Sequence, residues 1–291
     1  MHLRTMINAI VTLYNPDDSV VDHAKEFAAQ ADRVILCDNS ADDHSEMFKG
    51  IPSAVYTTKH KNLGLSGAFN RVLKDEQYGW SDDDYLIFFD QDSSIKDGHI
   101  ASLIAEYRRL LKKRIRVGCI SPAFYNLNSN ELFIQNKIQK IDEKTFVIDS
   151  TQTSSMLARY KVLKDIDFWN DDLFLDLCDW DLCWRMRAKG YKVCYTENVI
   201  FNHRIGKREV SAGVLKAKEG APIREYYQTR DCLKLIGKKY TPAKYKARFV
   251  AQVTVRPILH LIMLPDKGER AHYISKGLHD YFHHINGELS T

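Results

Sequence analysis

The chain of 291 residues is long enough for one large domain or two modest ones with a real core. Its balance of 44% apolar, 27% charged and 11% aromatic residues is that of a globular protein rather than a disordered or fibrous one. The net charge of +4 is uneven: residues 1–203 carry 25 basic and 30 acidic groups while residues 204–291 carry 17 and 8, so the tail is a separate electrostatic object.

No run of about 18 uncharged apolar residues exists, and the amino terminus lacks the basic-then-apolar order of a secretory signal, so a cytoplasmic location is expected. Cys37, Cys119, Cys178, Cys183, Cys194 and Cys232 form no C-x-x-C pair and no zinc-like cluster with histidine, so reduced packing thiols are expected. There is no internal repeat and no low-complexity segment.

The first 120 residues alternate between strand and helix patterns. "INAIVTLY" (7–14) is a strand stopped by Asn15-Pro16, and residues 17–31 then have helical apolar spacing through Val20, Val21, Ala24, Phe27 and Ala28. "RVILCD" (33–38) predicts a second strand, "SAVYTTK" (53–59) a third, residues 65–77 a helix and "DYLIFFD" (84–90) a fourth strand. Residues 99–114 form a basic amphipathic helix and lead into the strand "RVGCISPAF". This order predicts an α/β fold with a Rossmann-like, mostly parallel sheet and ligand chemistry at its carboxyl edge.

The predicted strand ends share a chemistry. Strand one ends at Thr12, Tyr14 and Asn15, strand two in "CDNS", strand three runs into "NLGLSGAFN", and strand four ends in "DQDS" with Asp90 and Asp92. Taken alone, an Asp-rich exit is equally an ordinary turn; four polar exits on one edge exceed what turns require. Gly64 and Gly67 remove side chains where a ligand or the sheet could approach, although simple loop geometry would also use them. No P-loop and no dinucleotide fingerprint occurs.

The order and spacing of "VTLYNP", "ILCDNS", "NLGLSGAFN" and "FFDQDS" resemble the family 2 inverting glycosyltransferases of the GT-A fold. D-Q-D-S is most similar to a bacterial rhamnosyltransferase-like branch. The likeness continues through residues 173–193 and "NHRIG" (202–206), covering about residues 6–240. It implies a catalytic domain over 1–240, with a nucleotide-binding half (1–120) and an acceptor-binding half (121–240), followed by a helical basic extension over 241–291.

The resemblance also implies roles. Asp38 matches the acid that hydrogen-bonds the nucleotide base, with Thr12, Tyr14, Asn15, Asn62 and Gly64 as neighbours of the nucleotide. Asp90 and Asp92 match the pair that holds a divalent ion on the donor diphosphate, for which hard oxygen ligands favour Mg2+ or Mn2+. His203 resembles the histidine that completes this shell, although a lone histidine is often structural. Asp179 occupies the place of the catalytic base, with Asp176 as second choice because Cys178 stands where many members have Glu. Asp181 could simply pair with Arg185 at i,i+4. Ser154, Ser155 and Trp180 are expected on the acceptor side, and residues 206–221 as a lid or a solvated loop.

The implied activity is metal-dependent inverting transfer of a sugar to a glycan or polyprenyl-linked acceptor in bacterial cell-surface polysaccharide synthesis. The expected donor is dTDP-L-rhamnose, with a UDP-hexose such as UDP-galactose as the alternative. A sugar nucleotidyltransferase would carry a glycine-rich basic loop after strand one, and "LYNPDDS" is not that. A nucleic-acid partner is not expected, because it would not require the motif series on the sheet edge.

From Cys232 to Pro265 there is no acidic residue, and seven basic ones lie among Tyr240, Tyr245, Phe249 and "VRPILHLIML". Such a segment suits peripheral contact with an anionic membrane, each basic residue contributing about 1 kcal/mol near the headgroups. The alternative is helices packed on the catalytic domain or in a homodimer.

Overall fold

A computed structural model describes residues 4–126, 131–133, 135–203, 209–212, 215–218 and 221–289. In chain order the described elements are β1 (Ile7–Leu13), α1 (Ser19–Ala28), β2 (Arg33–Asp38), β3 (Ala54–Thr58), α2 (Gly64–Leu73), β4 (Tyr85–Asp90) and α3 (His99–Lys112). Then follow β5 (Val117–Asn126), β6 (Glu131–Leu132), β7 (Lys137–Asp142), β8 (Thr145–Ile148), β9 (Met156–Arg159), α4 (Tyr160–Asp165) and α5 (Cys178–Ala188). The last are β10 (Lys192–His203), β11 (Glu209–Ala212), β12 (Leu215–Lys218), α6 (Arg224–Ile236), α7 (Ala243–Met263) and α8 (Lys267–Phe282).

Ten strands form one sheet in the order β3-β2-β1-β4-β9-β5-β10-β8-β7, with β6 paired to β5. By their pairings β1 to β5, β7 and β10 run one way, and β6, β8 and β9 the other. The fold is the expected mixed α/β architecture with a mostly parallel sheet, flanking helices and C-terminal helices.

The central strands β1, β2 and β4 are apolar almost throughout because both faces are covered, whereas the edge strand β7 (KIQKID) is polar and largely exposed. Along β4, Leu86 and Phe88 join Ile10, Phe69, Trp169 and Trp184 on one face. Ile87 and Phe89 join Val11, Phe27, Leu36 and Tyr107 on the other. All six cysteines are buried and free.

Chain order reverses at β1, which pairs with β2 on one side and β4 on the other. That reversal is a topological switch point, and α/β sheets bind ligands in the crevice outside the carboxyl ends of such strands, here β1 and β4.

Two features are set by contacts that the local pattern does not show. The helix expected over 65–77 stops at Leu73, because the Asp75 carboxylate accepts the Gln77 amide at 3.0 Å and starts a separate short turn. The β4 and β5 strands are not neighbours: β9 inserts antiparallel between them, after Ser155 takes a left-handed φ of +61° and donates its amide to the Phe88 carbonyl at 2.6 Å.

Candidate active site

Side-chain bonds stitch the strand exits together at this crevice. Gln91, between the two aspartates, accepts the Tyr14 amide with Oε1 at 2.7 Å and donates Nε2 to the Tyr14 carbonyl at 3.2 Å, clamping the β1 exit to the β4 exit. The Asn15 amide donates to Ser40 Oγ at 2.7 Å, tying β1 to β2. Thr12 lies in register with both Cys37 and Asp90, and the Tyr14 side chain is exposed. Gln91 and Ser40 are site residues that the sequence marks only by position, Gln91 between Asp90 and Asp92 and Ser40 two residues after Asp38.

Asp38 is fully buried. Its Oδ1 accepts the Ser40 amide at 2.8 Å and hydroxyl at 2.5 Å, and Oδ2 accepts the Tyr56 hydroxyl at 2.7 Å and His44 Nδ1–H at 2.8 Å. Burial works to raise its pKa, but these bonds together hold it below the ordinary carboxylate value. A carboxylate has about four acceptor positions, and the protein fills all of them.

Asn62 and Gly64 form the turn into α2. The Gly64 amide donates to Asn62 Oδ1 at 3.0 Å, and Asn39 Nδ2 donates to the Gly64 carbonyl at 3.0 Å. Gly64 has φ +69°, and a Cβ there would lie 2.2 Å from the Phe174 carbonyl oxygen. That carbonyl accepts the Leu65 amide at 2.7 Å, so the glycine lets the segment leading to α5 press against the turn into α2.

Asp90 ends β4 half-buried and Asp92 is exposed. Burial first, and then the Asp92 charge, push the Asp90 carboxyl up to about 6. Among the described residues neither acid has a cationic side chain within salt-bridge distance. Two uncompensated carboxylates at one strand end are a hard oxygen donor set, which fits Mg2+ or Mn2+. Among the described residues no three metal-ligating side chains converge. The β10 backbone reaches His203 opposite Asn126, but the His203 side chain lies outside the described residues. So do residues 206–208, 213–214 and 219–220 of the lid expected over 206–221; between them β11 and β12 pair antiparallel.

Ser154 and Ser155 sit beneath the aspartate turn rather than open to an acceptor. Ser154 Oγ shares a 2.7 Å hydrogen bond with Ser93 Oγ, Ser155 Oγ one of 2.7 Å with His99 Nε2, and all four side chains are buried. Burial pushes His99 down to about 4, so it is a neutral partner there. Both serines brace the turn that carries Asp92.

The second acidic cluster opens α5, after Leu177 turns the chain with φ +67°. The structure separates its three acids. Asp176 accepts Arg224 Nη2 at 2.6 Å and Gln228 Nε2 at 3.0 Å, both from α6. Asp181 is buried and accepts Arg185 Nε at 2.7 Å and the Tyr240 hydroxyl at 2.6 Å, the i,i+4 pairing that its spacing allows. Asp179 takes backbone donors alone, the Trp180 amide at 2.8 Å and its own amide, and no side-chain donor among the bonds described. Burial raises its carboxyl to about 7; the charges of Asp176 and Asp90 add to this and the Trp180 amide opposes it. The segment leading to Asp179 is tied to this edge where the Leu65 amide donates to the Phe174 carbonyl, and Asp90 is among the charges that act on Asp179. Trp180, expected on the acceptor side, packs its ring on Tyr245 at 5.1 Å and Phe249 at 6.3 Å, with Arg248 over it at 5.2 Å.

Residues 9–166, more than half of the chain, match the family model for glycosyl transferase family 2. The chain belongs to glycosyl transferase family 2. A relative from Shigella flexneri, the dTDP-rhamnosyl transferase RfbF, is 22% identical over 263 residues, which cover 85% of this chain and 86% of the relative. Among solved structures, GalNAc-T7 with UDP, GalNAc and Mn2+ aligns with a TM-score of 0.56 at 10% identity, covering 97% of this chain. The chain spans 58% of that structure's length. S. aureus TarS 1–349 aligns with a TM-score of 0.57 at 13% identity, covering 97% of this family 2 chain and 81% of TarS. At these identities the structural likenesses show the fold alone.

Proposed function

We propose that this family 2 glycosyltransferase moves a sugar from a nucleotide diphosphate donor to an acceptor hydroxyl with inversion, using Asp179 as the base. One observation carries this reading: an unpaired carboxyl raised to about 7 shares the switch-point crevice with the Asp90 and Asp92 carboxylates. The free Asp179 oxygen takes the proton of the acceptor hydroxyl. The acceptor's own oxygen, once deprotonated, bonds to the anomeric carbon from the face opposite the diphosphate, and the departing C–O electron pair stays on the diphosphate. Asp90 and Asp92, with His203, would hold Mg2+ or Mn2+, which when bound supplies positive charge beside the leaving diphosphate. Asp176 is the weaker choice of base because Arg224 and Gln228 already occupy its oxygens.

The donor we favour is dTDP-L-rhamnose, supported by the dTDP-rhamnosyl transferase relative at 22% identity; a UDP-hexose is the alternative. Both carry an imide N–H, and its access to Asp38 competes with Tyr56 or His44. The acceptor we favour is a glycan or a polyprenyl-linked glycan of the bacterial surface. Product release from a panel of nucleotide sugars tests this, and turnover with UDP-galactose but none with dTDP-rhamnose overturns the donor. In calorimetry with Mg2+, Asp92→Asn and to a lesser degree Asp90→Asn should weaken donor binding about tenfold or more and erase its dependence on the ion. Unchanged affinity in both variants would remove them from the ion site.

No helix among the described residues is long and apolar enough to cross a membrane. Peripheral contact is the reading we favour for α7. Ala251, Val255, Ile258 and Ile262 recur at helical spacing on one exposed face, Ile262 at 66% exposure. Lys238, Lys239 and Lys246 lie toward the start of that helix with no acidic residue between 232 and 265. Other basic groups of the segment are engaged within the protein: Lys244 pairs with Asp149, and Arg256 points inward to within 3.9 Å of Glu225. The protein should therefore cosediment with anionic but not neutral liposomes at low salt. Replacing Ile258 and Ile262 with Ser should abolish this more completely than Lys244→Gln. Equal recovery in the supernatant with both liposomes rejects the membrane reading and leaves a homodimer through the same face.

A further inference from the structure

The parallel ladder between β1 and β4 ends at the pair Thr12 and Asp90. Tyr14 lies beyond that last pair, and there the Gln91 side chain stands in for a strand. Its Oε1 accepts the Tyr14 N–H at 2.7 Å and its Nε2 donates to the Tyr14 carbonyl at 3.2 Å. A side-chain carboxamide has the donor and acceptor of a peptide group, so Gln91 adds one more rung to the ladder. The turn that carries Gln91 is held from other directions as well. The Gln91 carbonyl accepts His23 Nδ1–H at 2.9 Å from α1, and the Ser93 amide closes the turn on the Asp90 carbonyl at 3.0 Å. Ser93 Oγ meets Ser154 Oγ, from the loop before β9, at 2.7 Å.

On the reading of this crevice as a site for a nucleotide diphosphate and a divalent ion, we propose that Gln91 is a positioning residue. It sets the span between the nucleoside end of the crevice, at Tyr14, Asn15 and Asp38, and the ion end, at Asp90 and Asp92. Gln91 has one of the ion-end acids on either side of it in the chain. Its amide grips the β1 exit next to Asn15, whose own amide donates to Ser40 Oγ, the hydroxyl that bonds Asp38. That amide spends its bonds on the Tyr14 backbone, so its role is to place Tyr14 rather than to touch a ligand. A nucleoside diphosphate with its ion reaches both ends, and its second contact is in effect intramolecular. Such a contact strengthens binding only while the two ends keep the matching separation. The strand ladder stops short of Tyr14, and Gln91 carries the separation across the gap.

The test compares ligands that take one end with ligands that take both, on the full chain as wild type and as Gln91→Met, which keeps the side-chain length but forms neither bond. Thymidine diphosphate and uridine diphosphate with Mg2+ engage both ends and are titrated by calorimetry. Mn2+ alone, followed by electron paramagnetic resonance, and thymidine or uridine alone, followed by ligand-observed NMR, engage one end each. Gln91→Met should weaken the diphosphates about tenfold or more and leave the binding of Mn2+ alone and of nucleoside alone unchanged. Gln91→Asn, whose amide is one carbon too short to reach Tyr14, should show the same pattern and decides the matter if the Met variant is poorly folded. Equal losses for one-ended and two-ended ligands would make Gln91 a structural brace only, and unchanged diphosphate affinity would give it no part in the site; either result overturns the proposal. A wild-type protein that binds neither diphosphate with Mg2+ overturns the nucleotide reading itself, and the role of Gln91 with it.

Discussion

Asp179→Asn should leave donor binding nearly intact and cut turnover by about 10²- to 10⁴-fold, the usual worth of general-base help. The amide keeps the size and the bond to the Trp180 amide but has no basic oxygen. In the native protein, activity should fall as pH drops through about 7, where burial and the neighbouring acids place this carboxyl. The same shift carries a stability signature. An unfolded Asp179 ionises near 3.8, a folded one near 7, so between these values the unfolded chain releases a proton that the folded chain keeps. The native state loses stability across that interval as pH rises, and the loss is complete above 7. Asp179→Asn removes it, so the variant should melt higher than the wild type at pH 8 and equally at pH 3.5. Near-normal turnover in Asp179→Asn together with loss in Asp176→Asn would move the base to Asp176, three residues earlier and ahead of α5.

Gly64→Ala should be among the most destabilising single changes in the chain, about 3–5 kcal/mol by urea unfolding. Two penalties coincide. A left-handed φ of +69° disfavours any L side chain, and the new Cβ would meet Phe174 at 2.2 Å from its carbonyl oxygen and 2.6 Å from its ring. The obstacle is backbone, so it cannot rotate away. Relief would require the Leu65 amide to give up the Phe174 carbonyl, parting α2 from the segment that leads to Asp176 and Asp179. Gly79→Ala is the control: its φ of +60° is as unusual, but a Cβ there meets nothing within 4 Å. That change should cost only the conformational strain, about 1–2 kcal/mol. Equal midpoints for the two variants would mean that the contact with Phe174 contributes little.

Period-2 apolar runs too continuous to leave one face wet are a local property, so β1, β2 and β4 were legible in the chain within a residue at either end. So was the placing of Asp90 and Asp92 at a carboxyl edge, because strand direction follows from the alternation with helices. Spacing also made the Asp181–Arg185 pair available. Which acid is free to act as base was not legible. Asp176, Asp179 and Asp181 have the same chemistry and lie within six positions, and their difference comes from partners 40 to 60 residues away: Arg224 and Gln228 on Asp176, Tyr240 on Asp181. Ser154 and Ser155 read as loop residues open to an acceptor, yet they are buried beneath the aspartate turn because β9 inserts between β4 and β5, a pairing across more than sixty residues. The basic tail read as uniformly available charge, but folding turns Arg256 onto Glu225 and Lys244 onto Asp149 and leaves an aliphatic stripe outside. By itself the sequence determined the elements, their direction and the chemistry delivered to the edge, all of which rest on periodicity and neighbours. Only the tertiary structure decided which charges are neutralised and which are left to work, because a group's solvation and its ion-pair partners are set by distant parts of the chain.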